Sequence, residues 1–366
     1  MRVYFYHTQD IQRILREHAE GRFPGHLLYG ATHLHEYGIE VVWHQSIPST
    51  SRLRQMLHSL WGVLANYRRV DAVFATHYRG FELVVLLRAL RLIRKPIVVW
   101  HHQPVITPRQ RWREWLGRLF YRGFDHLFFF SQKLIDDSLT SRKVRPERMH
   151  LGHWGPDLDF YDRLMREQAV QGRTGFVSSG KELRDMPTLV EAFNLTGAPI
   201  DIYVNMKNGD IDYEQVFSRL SPHENVRLHF VKGLIPYELC LLVNQSACVV
   251  ICCQESKYTV GLTTVVEALA LGLPILISRN PQIPIDFEKE GCGISVPYYD
   301  VNGWQEAVQY VVQHSEEAAE MGRRGRLLAE RQYNDRLCAS EVAQVLLSLE
   351  VKGGKRKGER GKGKEK

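Results

Sequence analysis

Residues Thr259–Pro274 read TVGLTTVVEALALGLP, and this stretch decides the fold. The segment before it, Ala247–Cys253 (ACVVICC), has the length and β-branched content of a strand buried on both faces, and after it ILIS resumes the pattern. Thr263–Leu271 is rich in helix formers and too long for a loop, so the unit reads strand, glycine-containing turn, helix, strand. That is one turn of a doubly wound α/β sheet. The first N–H groups of such a helix lack backbone acceptors, and Gly261, Thr263 and Thr264 keep the approach open while adding hydroxyls, so an anion is the natural occupant. Glu267 lies three and four residues further on and shares their face. Its carboxylate would repel a phosphate but accept hydrogen bonds from a ribose one step further out. Ala268, Ala270 and Gly272 keep the opposite side thin, and Gly272 before Pro274 is a stop signal. An ordinary crossover helix with a surface glutamate would satisfy the same residues.

TVGLTTVVEALALGLPIL also resembles the C-terminal signature of the retaining glycosyltransferases of family 4, which have the GT-B fold and bind a nucleotide-sugar through an E-x7-E segment. Glu267 matches the second glutamate, which in that family holds the ribose. The first, which contacts the donor sugar, falls on Thr259, with Glu255 as an unaligned substitute. The resemblance continues through NPQIPIDFEKEGCGISVPYYDVNGWQEAV and MGRRGRLLAERQYN. It implies two Rossmann-like domains facing a cleft, and a donor held by the second of them through Thr259, Gly261, Leu262, Thr263, Thr264 and Glu267. No metal and no cofactor is expected.

A chain of 366 residues exceeds what one core usually supports, so two domains are expected, at residues 1–165 and 172–334. The polar stretch Asp162–Thr174 reads as the linker, and residues 335–350 as a helix crossing back to the first domain, as in GT-B relatives. The net charge of +7 looks like a nucleic-acid signal until it is divided. Lys352–Lys366 holds eight Lys or Arg and two Glu, leaving the rest at +1. Residues 351–366 therefore read as a disordered, solubilising basic tail, and no nucleic-acid partner is expected. No apolar run is long enough to span a membrane, and MRVYFYHTQ lacks a signal peptide's order, so a cytoplasmic protein is expected. The six cysteines, without a C-x-x-C pair, read as small buried hydrophobes.

In the first half MRVYFY and IEVVWHQ read as strands, with a loop and then a helix ending at Tyr37-Gly38 between them. Gly25 and Gly30 sit in that first loop, where a doubly wound sheet meets a ligand. VDAVFATH and PIVVWHH end on His77 and on His101 and His102, and the carboxyl ends of parallel strands face the ligand crevice. PIVVWHHQP resembles the family's strand that delivers an active-site histidine. Alternation sends only one of His101 and His102 inward, and either is its match. Gly25 and His77 are the acceptor-side candidates.

Pro108–Arg122 (PRQRWREWLGRLFYR) is an amphipathic helix, which either packs its Trp and Leu stripe on its own sheet or lays it on an anionic membrane. Asp157-Leu158-Asp159 and Asp210-Ile211-Asp212 are formally D-x-D, and both are read as chance. Gly175–Lys181 begins like a P-loop, but Glu182 follows where Ser or Thr belongs, and FVSS between the glycines reads as a strand. It instead resembles the family's first turn of the second domain, where Gly180, Lys181 and Arg184 would meet the donor diphosphate. The function that follows is transfer of a sugar, with retention, from a nucleotide-diphospho-sugar to a glycan or lipid-linked acceptor, by a cytoplasmic protein that could rest on the inner membrane face. Its rival is a nucleotide-sugar-binding protein without turnover, because Thr259 stands where a sugar-contacting glutamate is expected.

Overall fold

The structure is a computed structural model that describes residues 1–49, 51–180, 182–208, 211–231 and 236–361. The chain divides into two compact units. The first holds Met1–Glu17, Gly25–Trp154 and the chain from Asp335 onward, and the second holds His18–Pro24 and Gly155–Asn334.

The first unit contains β1 (Arg2–Tyr6), α1 (Ile11–Ala19, whose last turn enters the second unit), β2 (Glu40–Trp43), α2 (Arg52–Ala65), β3 (Ala72–Ala75), α3 (Glu82–Ala89), β4 (Ile97–Trp100), α4 (Arg111–Tyr121), β5 (His126–Phe129), α5 (Gln132–Leu139) and β6 (Met149–Leu151). Its six strands form one parallel sheet in the order β2-β1-β3-β4-β5-β6. β3, β4 and β5 are buried at every residue, as helices on both faces require. The order reverses at β1, whose neighbours β2 and β3 lie on opposite sides.

Two local readings change. A helix directly follows β1, because the Asp10 carboxylate accepts the Arg13 N–H at 3.1 Å and Ile11 and Ile14 are buried. The loop comes after it, as two short 3-10 turns at Gly25–Leu28 and Leu34–Tyr37, ending on Gly38 at φ 70°. The boundary between units also moves. Asp157 accepts the Phe160 N–H at 3.1 Å and opens α6 (Leu158–Glu167), an amphipathic helix with Phe160, Tyr161 and Leu164 buried in the second unit. The division therefore falls at Trp154/Gly155, and the stretch read as a linker starts inside a helix.

The second unit continues with β7 (Phe176–Ser179), α7 (Met186–Thr196), β8 (Ile200–Val204), the short pair β9 (Lys207–Asn208) and β10 (Ile211–Asp212), α8 (Tyr213–Ser218), β11 (Val226–Phe230) and α9 (Pro236–Asn244). It ends with β12 (Cys248–Ile251), α10 (Leu262–Leu271), β13 (Ile275–Ser278), α11 (Phe287–Glu290), β14 (Gly293–Val296), α12 (Val301–Gln313) and α13 (Ser315–Arg331). Its parallel sheet runs β11-β8-β7-β12-β13-β14, reversing between β7 and β12. α10 ends on Gly272 at φ 64°, whose N–H turns back to Leu269.

The last helix, α14 (Asp335–Gly361), packs in the first unit. Glu341 holds the His153 N–H at 2.8 Å and its ring at 2.6 Å, and Asp335 meets His33 at 3.0 Å. Backbone helix continues past residue 351, where an unstructured tail was expected, because extending a formed helix carries no nucleation cost. Residues 362–366 lie outside the described residues.

Gly30, expected at a ligand approach, instead lets α14 come close. It has φ 77°, and a Cβ there would sit 2.7 Å from the Ala339 Cα. Gly30→Ala is expected to destabilise the protein by about 2–4 kcal/mol through the left-handed backbone and the clash, read as a lower urea midpoint with an unchanged slope.

Candidate functional site

In the second unit the loops leaving β7 and β12 are tied together at the point where strand order reverses. Arg184 and Cys253 form an antiparallel bridge, the Asp185 N–H donates to the Cys252 carbonyl at 3.1 Å, and the Gln254 N–H to the Leu183 carbonyl at 2.9 Å. The Arg184 guanidinium fills the space between. Nε and Nη2 donate to the Ser179 carbonyl at 3.2 and 2.8 Å, Nη1 to the Glu182 carbonyl at 3.3 Å and the Cys253 sulfur at 3.0 Å, and Nη2 also to the Thr264 hydroxyl at 3.3 Å. The residue is only 5% exposed, yet among the described residues it has no carboxylate partner. Expected to lie along a donor diphosphate, Arg184 first of all fastens β7, β12 and α10 to one another. Lys181 lies outside the described residues.

At this site Gly180 and Gly261 take backbone conformations that favour glycine. Gly180 has φ 117°, and a Cβ would fall 2.1 Å from Arg184 Nη2. Gly261, the N-cap of α10, has φ 91°, and a Cβ would fall 2.7 Å from Ile251 Cγ2. The Leu262 N–H turns back to the Thr259 carbonyl at 3.1 Å, and Val265 opens the regular ladder with a bond to Gly261. The N–H groups of Thr263 and Thr264 have no acceptor among the described residues. Leu262 is buried and Thr263 exposed. Glu255 is exposed, its N–H on the Tyr299 hydroxyl at 3.2 Å.

Glu267, half-buried one turn into α10, makes no hydrogen bond or ion pair among the described residues. Desolvation pushes its carboxyl up to about 7, with Arg184 opposing the rise. Its negative charge also acts on the buried Tyr161 of α6 and Cys240 of α9, which raises both further. All six cysteines are buried and unpaired.

The first unit gathers histidines at the carboxyl ends of its strands. His101 is buried, held by the Gln103 carbonyl at 2.5 Å and the Tyr121 hydroxyl at 2.9 Å. His102 turns the other way: its Nε2 donates to the Thr76 carbonyl at 2.8 Å, and its ring lies 5.0 Å from His77 and 5.9 Å from Tyr29. His102 and His77 therefore come together and His101 does not join them. Gly25, which opens the first 3-10 turn, is buried. His7 and His44, which sequence reasoning passed over, end β1 and β2 in the same manner as His77 ends β3. The signal was there, since MRVYFYH and IEVVWH repeat the strand-then-histidine pattern. Burial lowers His7, His44, His77, His101 and His102 to about 4, so all five are neutral at pH 7.

α2, α3 and α4 pack in that order, and α2 and α4 expose large apolar side chains. α4 buries no residue, with Trp112 63% and Trp115 67% exposed, so the tryptophans do not pack on the sheet. α2 shows an unexpected second stripe, Leu53, Leu57, Trp61 and Leu64, all exposed. Residues 52–122 hold fourteen Arg or Lys and three Asp or Glu, a net of +11, so the basicity is not confined to the C-terminal tail.

No protein-family model and no curated protein matches the sequence. Solved structures do. Sucrose-phosphate synthase from Thermosynechococcus elongatus superposes with a TM-score of 0.71 at 12% identity, over 96% of this chain and 99% of that one. HepE of Anabaena in complex with UDP-glucose gives 0.65 at 14% identity, over 95% and 100%. WaaG, a glycosyltransferase involved in lipopolysaccharide biosynthesis, gives 0.60 at 13% identity, over 94% and 99%. These likenesses establish the GT-B fold, two Rossmann-like α/β units.

Gly180→Ala should cost about 1–3 kcal/mol from backbone strain alone. Because the new methyl also displaces the Arg184 guanidinium, amide exchange is expected to rise at Asp185 and Gln254, which the bridge protects. Unchanged exchange there would show that Arg184 does not hold the two loops together.

Proposed function

We propose that the chain is a glycosyltransferase that takes a sugar from a nucleotide-diphospho-sugar and transfers it, with retention of configuration, to an acceptor hydroxyl of a glycan or lipid-linked glycan. The observation that carries this reading is Arg184, a buried guanidinium that among the described residues has no carboxylate in contact, beside the two N–H groups at the start of α10 that have no acceptor among them. A buried cation is costly when unpaired, and a diphosphate supplies the missing charge. Lys181 would add a second cation on the same loop. As the glycosidic bond breaks, charge gathers on the leaving nucleoside diphosphate, where the Arg184 charge and the N–H groups of α10 would stabilise it without a metal. Glu267, one turn further along, accepts from the ribose hydroxyls. His102, whose Nε2 proton is committed to Thr76, offers an uncharged Nδ1 to a sugar hydroxyl. Thr259 in place of a glutamate favours a second reading, a nucleotide-sugar-binding protein without turnover. Tight donor binding with neither transfer nor hydrolysis across a broad acceptor panel would select it.

A thermal-shift screen of UDP-, GDP-, ADP- and dTDP-sugars identifies the donor, since ligand bound to the native state raises its apparent stability. With that donor, Glu267→Gln should weaken binding by about tenfold or more, the worth of a hydrogen bond to a charged group. Only the ionised carboxylate is a pure acceptor, so wild-type affinity should rise between pH 6 and 8, around the carboxyl's value of about 7, and the variant should show no such rise. Stability runs the other way. The folded carboxyl holds its proton to higher pH than the unfolded one, so the native state takes up a proton on folding and loses stability as pH rises from about 4.5 through 7. Glu267→Gln should flatten that slope, and donor affinity equal to wild type at all pH values would remove Glu267 from the site.

We also place the protein on the inner face of the cytoplasmic membrane. Three exposed tryptophans, Trp61, Trp112 and Trp115, stand among the arginines of the +11 segment, which suits an anionic lipid surface. The protein should co-sediment with phosphatidylglycerol vesicles and not with phosphatidylcholine ones, and lose most of that binding in Trp61→Ala/Trp112→Ala/Trp115→Ala. Indifference of the wild type to anionic vesicles at low salt ends the idea.

A further inference from the structure

We propose that the cavity at the carboxyl ends of β1, β2 and β3 binds an oxyanion, a carboxylate or phosphate carried by the molecule that receives the sugar. The cavity has a volume of about 580 Å3 and lies where the strand order of the first unit reverses, the place where open parallel sheets bind ligands. His44, His77, Arg52 and Arg79 line it, and no Asp or Glu does among the described residues. Glu82 and Asp10, outside the lining, are already engaged: Glu82 pairs with Arg52, and Asp10 caps α1 and accepts from the Ser46 hydroxyl at 3.3 Å.

Internal hydrogen bonds fix which ring nitrogens carry protons. His77 Nδ1 accepts the Arg79 N–H at 2.8 Å, so its proton sits on Nε2. His44 Nδ1 lies 2.7 Å from the Tyr4 hydroxyl. That hydroxyl is buried, and Gly62 closes its other side so tightly that a Cβ would come within 2.1 Å. Its proton goes to His44 Nδ1, which leaves the His44 proton on Nε2. Neither Nε2 has a protein partner among the described residues. Burial keeps both rings neutral at pH 7, so they act as N–H donors and add no charge of their own. The Arg79 side chain, exposed at the rim, has no ion pair among the described residues. Two locked N–H groups and a guanidinium line one cavity that has no carboxylate in its lining among the described residues, and a group that only accepts hydrogen bonds suits all three. His58 completes the pattern: its Nε2 donates to the Gln45 carbonyl at 2.6 Å, leaving Nδ1 as an acceptor for a neighbouring hydroxyl. The ligand is therefore an acidic sugar or a sugar phosphate. Its role as acceptor rests on the transferase reading, but its binding does not.

The test is calorimetric titration of the full chain with glucose, glucuronate and glucose 6-phosphate at constant ionic strength. At least one of the two acids should bind about tenfold or more tightly than glucose, and which one does tells carboxylate from phosphate. Arg79→Gln and His77→Phe, made at solvent-accessible side chains, should each remove most of that preference while the melting temperature holds. Equal binding of acid and neutral sugars, no binding of either acid at millimolar concentration, an acid preference that survives Arg79→Gln, or displacement of the acid by the nucleotide would each overturn the proposal. Acid binding through Arg79 in a chain that binds no nucleotide-sugar would instead remove the transferase reading and leave the oxyanion site standing.

Discussion

Two adjacent parallel strands whose connections leave in opposite directions part their loops at the carboxyl edge of the sheet, and something must hold that gap in shape. In the second unit it is the bridge between Leu183–Asp185 and Cys252–Gln254, with the Arg184 guanidinium packed into the opening. The turn after β7 can take this path because Gly180 has no side chain, and the turn after β12 because Gly261 has none. α10 is thereby started at a fixed place, with its open N–H groups beside the arginine. Remove the bridge and the positive charge, the helix start and Glu267 are no longer parts of one site.

That arrangement leaves the site electrostatically unbalanced. Arg184 spends its donors on carbonyls, a thiol and a hydroxyl, all neutral, and Glu267 spends none of its acceptors on the described residues. A direct ion pair between them would cancel the charge and close the site to an anion. Instead the two interact through space, strongly enough to oppose part of the carboxyl's desolvation but not all of it. Among the described residues Arg184 thus keeps its charge without a carboxylate in contact and Glu267 keeps its acceptors open, which is the combination that the proposed donor, anionic at one end and hydroxyl-bearing at the other, would use.

Much of this could be read from the chain. The run from Cys248 to Ser278 alternates buried strand, glycine turn and helix so plainly that its element borders were legible to within a residue or two. Gly180 and Gly261 were legible because a tight βα turn needs them. What Arg184 does was not, because a basic residue at a helix start reads the same whether it points to solvent or folds back under its own loop. The exposed stripe of α2 was hidden for a related reason: Leu53, Leu57, Trp61 and Leu64 have the spacing of a core-facing stripe, and only the fold shows them outward. His101 and His102 could not be separated by alternation alone, since both leave the strand and the hydrogen bonds to Tyr121 and Thr76 that sort them are long-range.

The two units place their candidate groups at equivalent points, the reversal of strand order, yet furnish them with opposite chemistry. The second offers a permanent charge and, among the described residues, backbone donors without acceptors, the chemistry that the proposed diphosphate would use. The first offers imidazoles kept neutral by burial, and its formal charge is confined to Arg52, already paired with Glu82, and Arg79 at the rim. The proposed diphosphate, with more charge to neutralise, would be better served by the second kind of site. The first would recognise the proposed single acidic group by directed N–H donors, with its remaining imidazole acceptors left for hydroxyls. Under the proposed transfer, giving each unit a different kind of donor would let one chain tell a nucleoside diphosphate from the single acidic group of a receiving molecule.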